Sequence, residues 1–581
     1  MQHHEPIAIV GMAGRFAGAR NLNEYWQNIL QAKDCSSEPP SGRWVLDPAR
    51  AHHPELAYPD RVYSTRGYYM PPLTTMELSS HINGVPVEEL DPVFHLAWYL
   101  TQKALNQVSM QGVNRDRCGI VFGNIALPTA KAAQFTANFV SNRAAISSLR
   151  SRDVLSWNCE PACNPIAFAA ADLGFGLGGY AIDAACASSL YAIKLACDEL
   201  QSGQADLMIA GGQNQADSLY NQMGFSQLRA LSRTGKCSPF DARGDGLLVG
   251  DGGAAFVLKR LSDAEKNGNT IIGVIRGIGL SNDIEGNLLS PASEGQLRAM
   301  RQAYEVSELD PESIQMFECH ATGTPTGDAT EFHSLQRLLG PSANDVVIGS
   351  VKSSVGHLLT GAGAASLAKA LLAINHQQYP PTANFLQRAE HLSNQRSNLR
   401  VLTKPQPWVS ETPRLVGVNA FGFGGINAHL IVEEYRQAPA VNYVAPLIST
   451  DEPIVVTGTA SVRYSQKDEI AFPLGIFRIP PTELAEMLPQ QTILLQALHM
   501  TVGTRDLSGP RTGIFVGAKL DINTTNFHVR WALEQLENER FRDIHPPLTA
   551  NRTMGVSQRG IQSHCTTSAC GWAILYNLCR K

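Results

Sequence analysis

The stretch AIDAACASSL, residues 181–190, contains the local pattern on which the fold and the chemistry of this chain depend. An apolar run ends in a turn of small residues, and an amphipathic helix is predicted to begin immediately after Cys186. The positive end of a helix dipole favours a thiolate, so we expect the pKa of Cys186 to fall below its ordinary value of about 8.5. The backbone N–H after Cys186 is free at a helix start and could help to stabilise an oxyanion. By itself, this turn also fits a buried, unreactive cysteine.

Short apolar runs alternate with helical segments on both sides of this turn. Apolar residues recur at three- and four-residue steps after it, which makes one stripe on a helix: Leu190, Ile193, Cys197 and Leu200. Other runs are bounded by Gly, Pro or polar residues, as buried strands are: Ile7–Val10, Gly119–Phe122, Asp206–Ala210, Gly253–Leu258, Ile271–Ile275, Met316–Glu318 and Val346–Ile348. The alternation predicts an α/β protein whose helices cover a largely buried sheet.

Two histidines lie in glycine-rich loops that follow apolar runs. ECHATGTPTGD, residues 318–328, places His320 directly after a predicted strand. VKSSVGHLLTGAGA, residues 351–364, places His357 before a helix of small residues. Polar groups at strand ends beside glycine turns commonly form the active sites of α/β proteins. Each histidine alone fits a structural role, but a cysteine and two such histidines together favour nucleophilic acyl chemistry.

A third loop, NAFGFGGINAH at residues 419–429, is rich in glycine and precedes a predicted strand at Leu430–Val432. Because Gly424 and Gly425 have no side chains, the backbone there can approach a substrate closely.

A separate match to the pattern G-x-G-x-x-G, at residues 174–179, precedes a strand instead of following one. We therefore reject it as a dinucleotide site.

In this order, DAACASSL, ECHATGTPTGD, VKSSVGHLLTGAGAA and FGFGGINAH resemble the four landmark motifs of β-ketoacyl synthases. The resemblance covers about residues 5–436. It implies the thiolase fold, in which two pseudo-symmetric α/β halves form a five-layered α-β-α-β-α sandwich, usually in a dimer. Two flanking blocks, which begin at Gly235 and Gly279, resemble ketosynthases of type I polyketide, polyunsaturated-fatty-acid or glycolipid synthases more than free-standing bacterial ones.

The family resemblance implies a mechanism. Cys186 would hold the growing acyl chain as a thioester. A malonyl group on an acyl carrier protein would then enter, and His320 and His357 would assist its decarboxylation and stabilise the enolate. The carbanion would attack the Cys186 thioester and give a β-ketoacyl product, as in fatty acid and polyketide biosynthesis.

The resemblance also implies supporting roles. The N–H groups of Cys186 and Phe423 would form the oxyanion hole, and the Phe423 side chain would gate the site. Lys352 would support the histidines, while Thr322 and Thr324 would contact the pantetheine arm. This chemistry needs a thiolate and neutral hydrogen-bond donors, so we expect no metal and no bound cofactor, with substrates carried on phosphopantetheine.

The motifs favour one of three functions. A non-elongating partner, such as a chain-length factor, binds and gates acyl chains without condensing them, and typically lacks the cysteine or a histidine. The cysteine and both histidines are present here, which favours an elongating enzyme.

A thiolase-fold enzyme that condenses coenzyme A esters is disfavoured by GHLLTGAG, which resembles the decarboxylating class. One residue departs from the family pattern, because Ile426 replaces a usual threonine and removes a possible hydrogen bond in the last loop.

Composition and charge exclude several classes of protein. The 581 residues are 44% hydrophobic, which is too apolar for a disordered chain. The net charge of −5 argues against nucleic-acid binding. No apolar run is long enough to span a bilayer, and the first residues lack the pattern of a secretory signal. The 11 cysteines form no C-x-x-C pair, so we expect free thiols in the cytoplasm.

The C-terminal part of the chain repeats features of the beginning. Two of the echoes are EPIAIVG at 5–11 with EPIVVTG at 452–458, and GIVFG at 119–123 with GIFVG at 513–517. Between them, a helix that opens at Pro92 is echoed by one predicted to open at Pro489. Three echoes in the same order indicate an internal repeat.

From this repeat we predict a ketosynthase domain at 1–436, a linker at 437–451 and an incomplete second thiolase-like copy at 452–581. The second copy resembles the chain-length factor that follows the ketosynthase of polyunsaturated-fatty-acid synthases, cut short. Either Cys570 or Cys565 aligns with the nucleophile, and no histidine follows Cys570, so this copy cannot supply its own two-histidine site. We expect acyl carrier protein as partner, and a homodimer or a ketosynthase/chain-length-factor pairing.

Overall fold

The elements of the fold come from a computed structural model that describes residues 5–134, 156–284, 290–340, 345–393, 398–437, 455–463, 489–503 and 516–517, except 59, 126 and 217. Within these residues the strands of the main sheet are β1 (Ile7–Phe16), β2 (Cys118–Gly123), β3 (Gly179–Ile182), β4 (Leu207–Asn214), β5 (Gly252–Arg260), β6 (Gly273–Asn282), β7 (Met316–Glu318), β8 (Val346–Gly349), β9 (Leu399–Val401), β10 (Leu415–Gly422) and β11 (Ile426–Glu433).

The α-helices of the described residues are α1 (Leu22–Leu30), α2 (Pro48–Ala51), α3 (Pro92–Leu105), α4 (Asn164–Asp172), α5 (Ser188–Gln201), α6 (Ser218–Gln227), α7 (Leu261–Lys266), α8 (Ser293–Ser307), α9 (Pro325–Leu339), α10 (Lys352–Val355), α11 (Ala362–His376), α12 (Glu390–Ser393) and α13 (Pro489–Val502). Two small two-stranded sheets lie outside the main sheet in the described residues: His81–Ile82 with Val85–Pro86, and Gln378–Tyr379 with Gln406–Pro407. In the part of the chain that the structure describes, no helix is both long and apolar enough to cross a bilayer.

The main sheet consists of two halves with the same plan. Its strand order is β9-β8-β7-β10-β11-β6-β1-β5-β4-β2-β3. In each half, parallel strands lead into two strands that pair antiparallel, β5 and β1 in the N-terminal half and β11 and β6 in the C-terminal half. The halves are joined where β1 pairs with β6 over Ile7–Ile9, so the hydrogen bonding is continuous across both.

Helices form layers on both faces of these halves. Strand β1 shows the alternation, because Ile7 and Ile9 pack in the cluster of α5 and α11, whereas Ala8 and Val10 pack in the cluster of α3. Helices α5 and α11 contact strands of both halves and form the central layer. Helices α3 and α4 cover the N-terminal half, and α8 and α9 cover the C-terminal half. The result is the predicted α-β-α-β-α arrangement.

The predicted strands all overlap observed ones, which are generally longer. Strands β9 and β10 were not predicted, because β9 has only three residues with a central arginine and β10 is interrupted by glycine and asparagine. Helix α11 is buried on all sides, since every residue of 362–374 is buried. A helix in a central layer needs apolar or small residues on all faces.

Helix α13 lies in the predicted second copy. It has 14 residues and begins at Pro489, just as α3 has 14 residues and begins at Pro92, so this echo extends to local structure. Cys565 and Cys570 lie outside the described residues. The boundaries at 436 and 451 therefore stay predictions.

Candidate active site

Cys186 lies in a tight turn between β3 and α5, and only 5% of it is exposed. The turn requires a positive φ of 49° at Ala185, which a small residue tolerates best. Asp183 accepts the Ala185 N–H at 2.9 Å. The Ser188 hydroxyl accepts the N–H of Ala184 at 2.8 Å and donates to the Ala185 carbonyl at 2.6 Å. These bonds fix the sulfur two residues before the helix starts.

Burial raises the pKa of Cys186 to about 12, although the N–H of Phe423 and the charge of Lys352 act in the opposite direction. The predicted low pKa was wrong, because the cost of burying a thiolate outweighs the helix dipole. The oxyanion donor predicted from the helix start, the N–H after Cys186, was also wrong. This N–H belongs to Ala187 and already donates to the Ala184 carbonyl at 3.1 Å. The N–H groups that bond to the sulfur are those of Phe423 and of Cys186 itself.

His357 contacts this sulfur directly. Its Nε2 lies 3.0 Å from Cys186 Sγ, and its ring is buried. Burial and then the charge of Lys352 hold the pKa of His357 well below its ordinary value, so the imidazole is neutral. With the proton on Nδ1, Nε2 accepts a hydrogen bond from the thiol and can take its proton when the sulfur attacks.

The residues 350–361, which we call the His357 loop, are held mainly by main-chain hydrogen bonds. The His357 N–H donates to the Leu248 carbonyl at 2.8 Å, and the Gly250 N–H donates to the His357 carbonyl at 3.0 Å. Gly356 adopts a φ of 77°, and a Cβ there would lie 2.3 Å from the Tyr68 ring. Only glycine fits this position without a shift.

His320 stands beside His357 and is half-buried. The two ring centroids are 5.3 Å apart with planes at 82°. Burial, Lys352 and then His357 keep the pKa of His320 well below its ordinary value, so this imidazole is also neutral. One nitrogen of each ring and the Cys186 sulfur lie within 4.8 Å of one another. The predicted nucleophile and both predicted histidines thus meet at one point.

The residues 319–324, which we call the His320 loop, are held by two carboxylates of α9. Glu331 accepts the N–H of His320 at 2.8 Å and that of Ala321 at 2.7 Å. Asp328 accepts the next two N–H groups at 3.0 and 3.2 Å. Burial raises the pKa of both carboxyls, that of Asp328 to about 7. The sequence analysis missed these residues, although their three-residue spacing on a helix that follows the loop would have indicated a shared face.

Lys352 supplies a buried positive charge to the site. Its side chain is 1% exposed, and among the described residues its Nζ has no hydrogen-bond partner. Burial lowers its pKa, while Glu318 and Glu331 act to raise it. Glu318 is itself engaged, because it pairs with Lys369 Nζ at 2.7 Å and accepts the Val351 N–H at 2.7 Å. The charge of Lys352 therefore acts on the two histidines and lowers the pKa of each.

Three predicted residues lie in the hairpin between β10 and β11. The half-buried Phe423 directs its N–H at Cys186. Gly424 is exposed, whereas Gly425 is buried with a φ of 80°, and a Cβ there would lie 2.6 Å from the Asp283 side chain. Ile426 is buried and pairs with Gly422 in the hairpin, so the departure from threonine leaves this pairing in place.

The two predicted pantetheine contacts lie on the His320 loop. Thr322 is buried and Thr324 is half-buried, directly before α9. Their hydroxyl oxygens are 3.0 Å apart.

The sulfur and the two histidine nitrogens also form a set that could ligate a metal ion. The buried charge of Lys352 opposes a cation there, since like charges repel strongly in a poorly solvated site.

Three family models match the chain. The β-ketoacyl synthase N-terminal domain matches residues 4–264, and the β-ketoacyl synthase C-terminal domain matches residues 272–386. The ketoacyl-synthetase C-terminal extension matches residues 390–465.

Similar proteins include large synthases and solved structures. The chain is 32% identical over 443 residues to the polyketide synthase PksL of Bacillus subtilis (strain 168). The matched region covers 74% of this chain and 9% of PksL. It matches the structure "PfaC Keto synthase-Chain length factor" with a TM-score of 0.68 and 33% identity, over 75% of this chain and 49% of the other.

A third match is the ketosynthase from module 6 of the bacillaene synthase from Bacillus subtilis 168. The TM-score is 0.62 with 30% identity, over 74% of this chain and 73% of the other. The likeness to ketosynthase structures confirms the predicted thiolase fold. The chain spans less than a third of the length of the curated relatives it matches.

Proposed function

The chain belongs to the β-ketoacyl synthase family, and from that premise we propose that it condenses an acyl chain held on Cys186 with a malonyl group held on an acyl carrier protein. The observation that carries this proposal is the contact of 3.0 Å between Cys186 Sγ and His357 Nε2, with the neutral imidazole of His320 beside it. This arrangement combines a nucleophile, its base and a further hydrogen-bond donor.

The first half-reaction is acyl transfer to Cys186. The sulfur attacks the thioester carbonyl of the incoming acyl carrier as His357 Nε2 takes the thiol proton. The N–H groups of Cys186 and Phe423 donate to the developing oxyanion. The carbon–sulfur bond to pantetheine then breaks, and the pantetheine sulfur leaves as a thiol with the proton from His357. The products are an acyl-Cys186 thioester and a free carrier.

The second half-reaction is decarboxylative condensation. Loss of CO₂ from the malonyl thioester leaves an electron pair that spreads onto the thioester oxygen as an enolate. His320 and His357, both neutral, donate N–H groups to that oxygen, with His357 now in the tautomer that carries its proton on Nε2. The Lys352 ammonium lowers the energy of the enolate from nearby. The enolate carbon attacks the acyl-Cys186 carbonyl, the bond to Sγ breaks, and the departing thiolate takes up one proton from solvent. The product is a β-ketoacyl group on the carrier.

The remaining roles follow the same scheme. Phe423 gates the site with its side chain while its N–H serves the oxyanion hole. Thr322 and Thr324 contact the pantetheine arm, and the open backbone at Gly424 and Gly425 lets the substrate pass. The substrates arrive on phosphopantetheine, as expected for relatives within polyketide synthases, and the reaction requires no further cofactor. A non-elongating or chain-length-factor function is not favoured, because the full set of a cysteine and two histidines is present.

A dimer is proposed through strand β3. This strand ends the sheet, and within the described residues it pairs on one side only, with β2. An unpaired sheet edge is a ready template for a strand of a second chain. Leu177, an exposed hydrophobic residue, lies just before this strand in sequence. A homodimer formed here is the simplest assembly, and a pairing with a chain-length factor is the other.

The architecture of residues 1–436, 437–451 and 452–581 stays as proposed from the repeat. It is supported by the likeness of the chain to the PfaC keto synthase–chain length factor. The polyunsaturated-fatty-acid type of synthase stays a prediction from the motif resemblance, whereas the likeness to PksL supports a polyketide type. A cytoplasmic location stays a prediction from the cysteine content.

The proposed function is tested by product formation. The purified protein is given octanoyl- and malonyl-acyl carrier protein, and the carrier is weighed by mass spectrometry. We expect the wild type to form 3-oxodecanoyl carrier with one CO₂ released per product. Cys186→Ala should form no product, and the control Cys163→Ala should form as much product as the wild type. An acyl group on Cys186 beside intact malonyl carrier would instead support the gating function.

A further inference from the structure

Helix α6 is buried along almost its whole length, yet it is not an apolar helix. All residues of 218–226 are buried, and four of them are polar: Ser218, Asn221, Gln222 and Ser226. A helix that is buried on all faces normally carries hydrophobic residues all round. Buried polar groups are kept in proteins when they have a partner or a function. The polar residues of α6 therefore need an explanation.

Within the described residues, the hydroxyls of Ser218 and Ser226 each leave one polar atom without a partner, whereas Asn221 leaves two. Gln222 is anchored, because its Nε2 donates to the Arg66 carbonyl at 2.9 Å. Asn221 is 0% exposed, and within the described residues neither its amide nitrogen nor its amide oxygen has a hydrogen-bond partner. Leaving both ends of an amide unpaired is costly in a dry environment. Asn221 thus offers a donor and an acceptor that the surrounding protein does not use.

Asn221 lies one helical turn before Phe225, whose ring lies beside that of the proposed gate, Phe423. Phe225, four residues further on α6, shares its face, and the Phe225 ring centroid is 5.8 Å from that of Phe423. The N–H of Phe423 bonds to the nucleophile, Cys186. Apolar residues of α6 form one cluster with Phe423 and with Leu359, two residues after His357. The face of α6 that carries Asn221 therefore borders the apolar region beside the nucleophile.

We propose that α6 lines the chamber that receives the acyl chain, and that Asn221 is a specificity-determining residue that binds an oxygen substituent on that chain. The inference rests on the proposed function, since it needs acyl transfer to Cys186. An amide can accept from a hydroxyl group and donate to a hydroxyl or keto oxygen, so both substituents fit. A saturated chain would leave the amide unpaired, and sites built to bind a hydroxyl discriminate strongly against analogues without one.

The proposal predicts a preference among acyl donors of equal length. The full chain is incubated with N-acetylcysteamine thioesters of octanoate and of 3-, 5- and 7-hydroxyoctanoate, and acylation of Cys186 is followed by mass spectrometry. We expect at least one hydroxylated donor to react at least about tenfold faster than octanoate. In Asn221→Leu the preference should disappear through faster reaction of octanoate and slower reaction of the hydroxylated donor.

Thermal unfolding separates this role from a structural one. Asn221→Leu replaces an unpaired amide with an apolar group of similar size, so its Tm should not fall. The exposed Asn267, on the surface after α7, gives a matched control, and Asn267→Ala should keep the wild-type preference. Equal rates for all donors, with Cys186 acylated normally, would overturn this inference and leave the proposed function standing. Absence of any acylation would overturn both.

Discussion

The two histidine loops bring their side chains to the same cysteine, but different kinds of hydrogen bond hold them. In the His320 loop, four successive main-chain N–H groups are bound by the carboxylates of Glu331 and Asp328. In the His357 loop, main-chain pairs with residues 248 and 250 fix the histidine, and Glu318 binds only the N–H of Val351 near the start of the loop. One loop therefore depends on buried charge and the other on backbone geometry.

The two loops differ not only in the hydrogen bonds that hold them but also in how their imidazoles contact the site. His357 bonds to the sulfur and stands on the loop that is held mainly by main-chain hydrogen bonds. His320 stands on the loop whose geometry depends on two carboxyl groups with raised pKa values. We infer that His357 serves both half-reactions, whereas His320 serves the decarboxylation.

The largest effect is expected from loss of His357. His357→Ala removes the base that takes the thiol proton of Cys186, so acylation should slow by about 100- to 10,000-fold. The rate is measured from the acyl adduct by mass spectrometry under single-turnover conditions. His333→Ala, on α9, is the matched control and should acylate at the wild-type rate. A loss of less than about threefold in His357→Ala would contradict the assignment of the base.

The carboxylate support of the His320 loop is tested by changing Glu331. Glu331→Ala leaves the N–H groups of His320 and Ala321 unsatisfied, at about 1–3 kcal/mol each, and should lower the free energy of unfolding by about 2–6 kcal/mol. Malonyl decarboxylation should fall by about 10- to 100-fold, because the histidine is misplaced.

Glu331→Gln keeps one acceptor oxygen and should lose less on both measures. Urea unfolding and CO₂ release give the two readouts. Ser353→Ala, which removes a side-chain bond within the His357 loop, is the control and should change the unfolding free energy by no more than about 1.5 kcal/mol. Equal losses in this control and in Glu331→Ala would abolish the contrast between the loops.

The backbone dependence of the His357 loop is tested at Gly356. Gly356→Ala places a Cβ against the Tyr68 ring at a positive φ, so the unfolding free energy should fall by about 1–3 kcal/mol from backbone strain, with the clash in addition. Gly203→Ala has a similar φ of 73° but no atom within 4 Å of the new Cβ. It should cost only about 1 kcal/mol. Equal unfolding midpoints in urea for the two variants would argue against a tightly fitted loop.

The smallest effect concerns pH. Burial is the main cause that lowers the pKa of both histidines, and the charge of Lys352 adds to it, so Lys352→Met should raise these pKa values part of the way towards the ordinary 6.5. The wild type should keep neutral imidazoles, and its decarboxylation rate, from about pH 7.5 down to about pH 6. In the variant, up to about three-quarters of an imidazole with an ordinary pKa would be protonated at about pH 6, so the rate should drop by up to roughly fourfold.

The pH profile of CO₂ release from malonyl carrier checks this shift. Lys266→Met, at the exposed end of α7, is the control and should keep the wild-type profile. An acid limb of Lys352→Met that coincides with the wild type would show that Lys352 does not set the charge state of the histidines.

The cysteine, the two histidines and the alternation of strands and helices could be singled out from the sequence, because each is a local pattern. Cys186, His320 and His357 all follow apolar runs and stand beside small residues, which is a pattern that can be read along the chain. Their meeting within 4.8 Å was implied by the family resemblance and not by spacing.

The errors came from energies that depend on the folded surroundings. The pKa of Cys186 was expected to fall, since the helix start is visible in sequence, but the burial that raises it is not. Glu331 and Asn221 were missed for a related reason, because their significance depends on which groups they face across the fold. The loss of a possible hydrogen bond at Ile426 was visible in sequence, but its glycine partner in the hairpin, which leaves room for the side chain, was not.

The division of labour between the two histidines is tested most directly by a single-turnover chase with His320→Ala. The variant is first acylated on Cys186, and the adduct is then challenged with malonyl-acyl carrier protein while intact mass is followed. Our account predicts that the adduct forms at close to the wild-type rate and then persists, with malonyl intact, whereas the wild-type adduct is discharged with one CO₂. An adduct that fails to form, or that is discharged as fast as in the wild type, would contradict it.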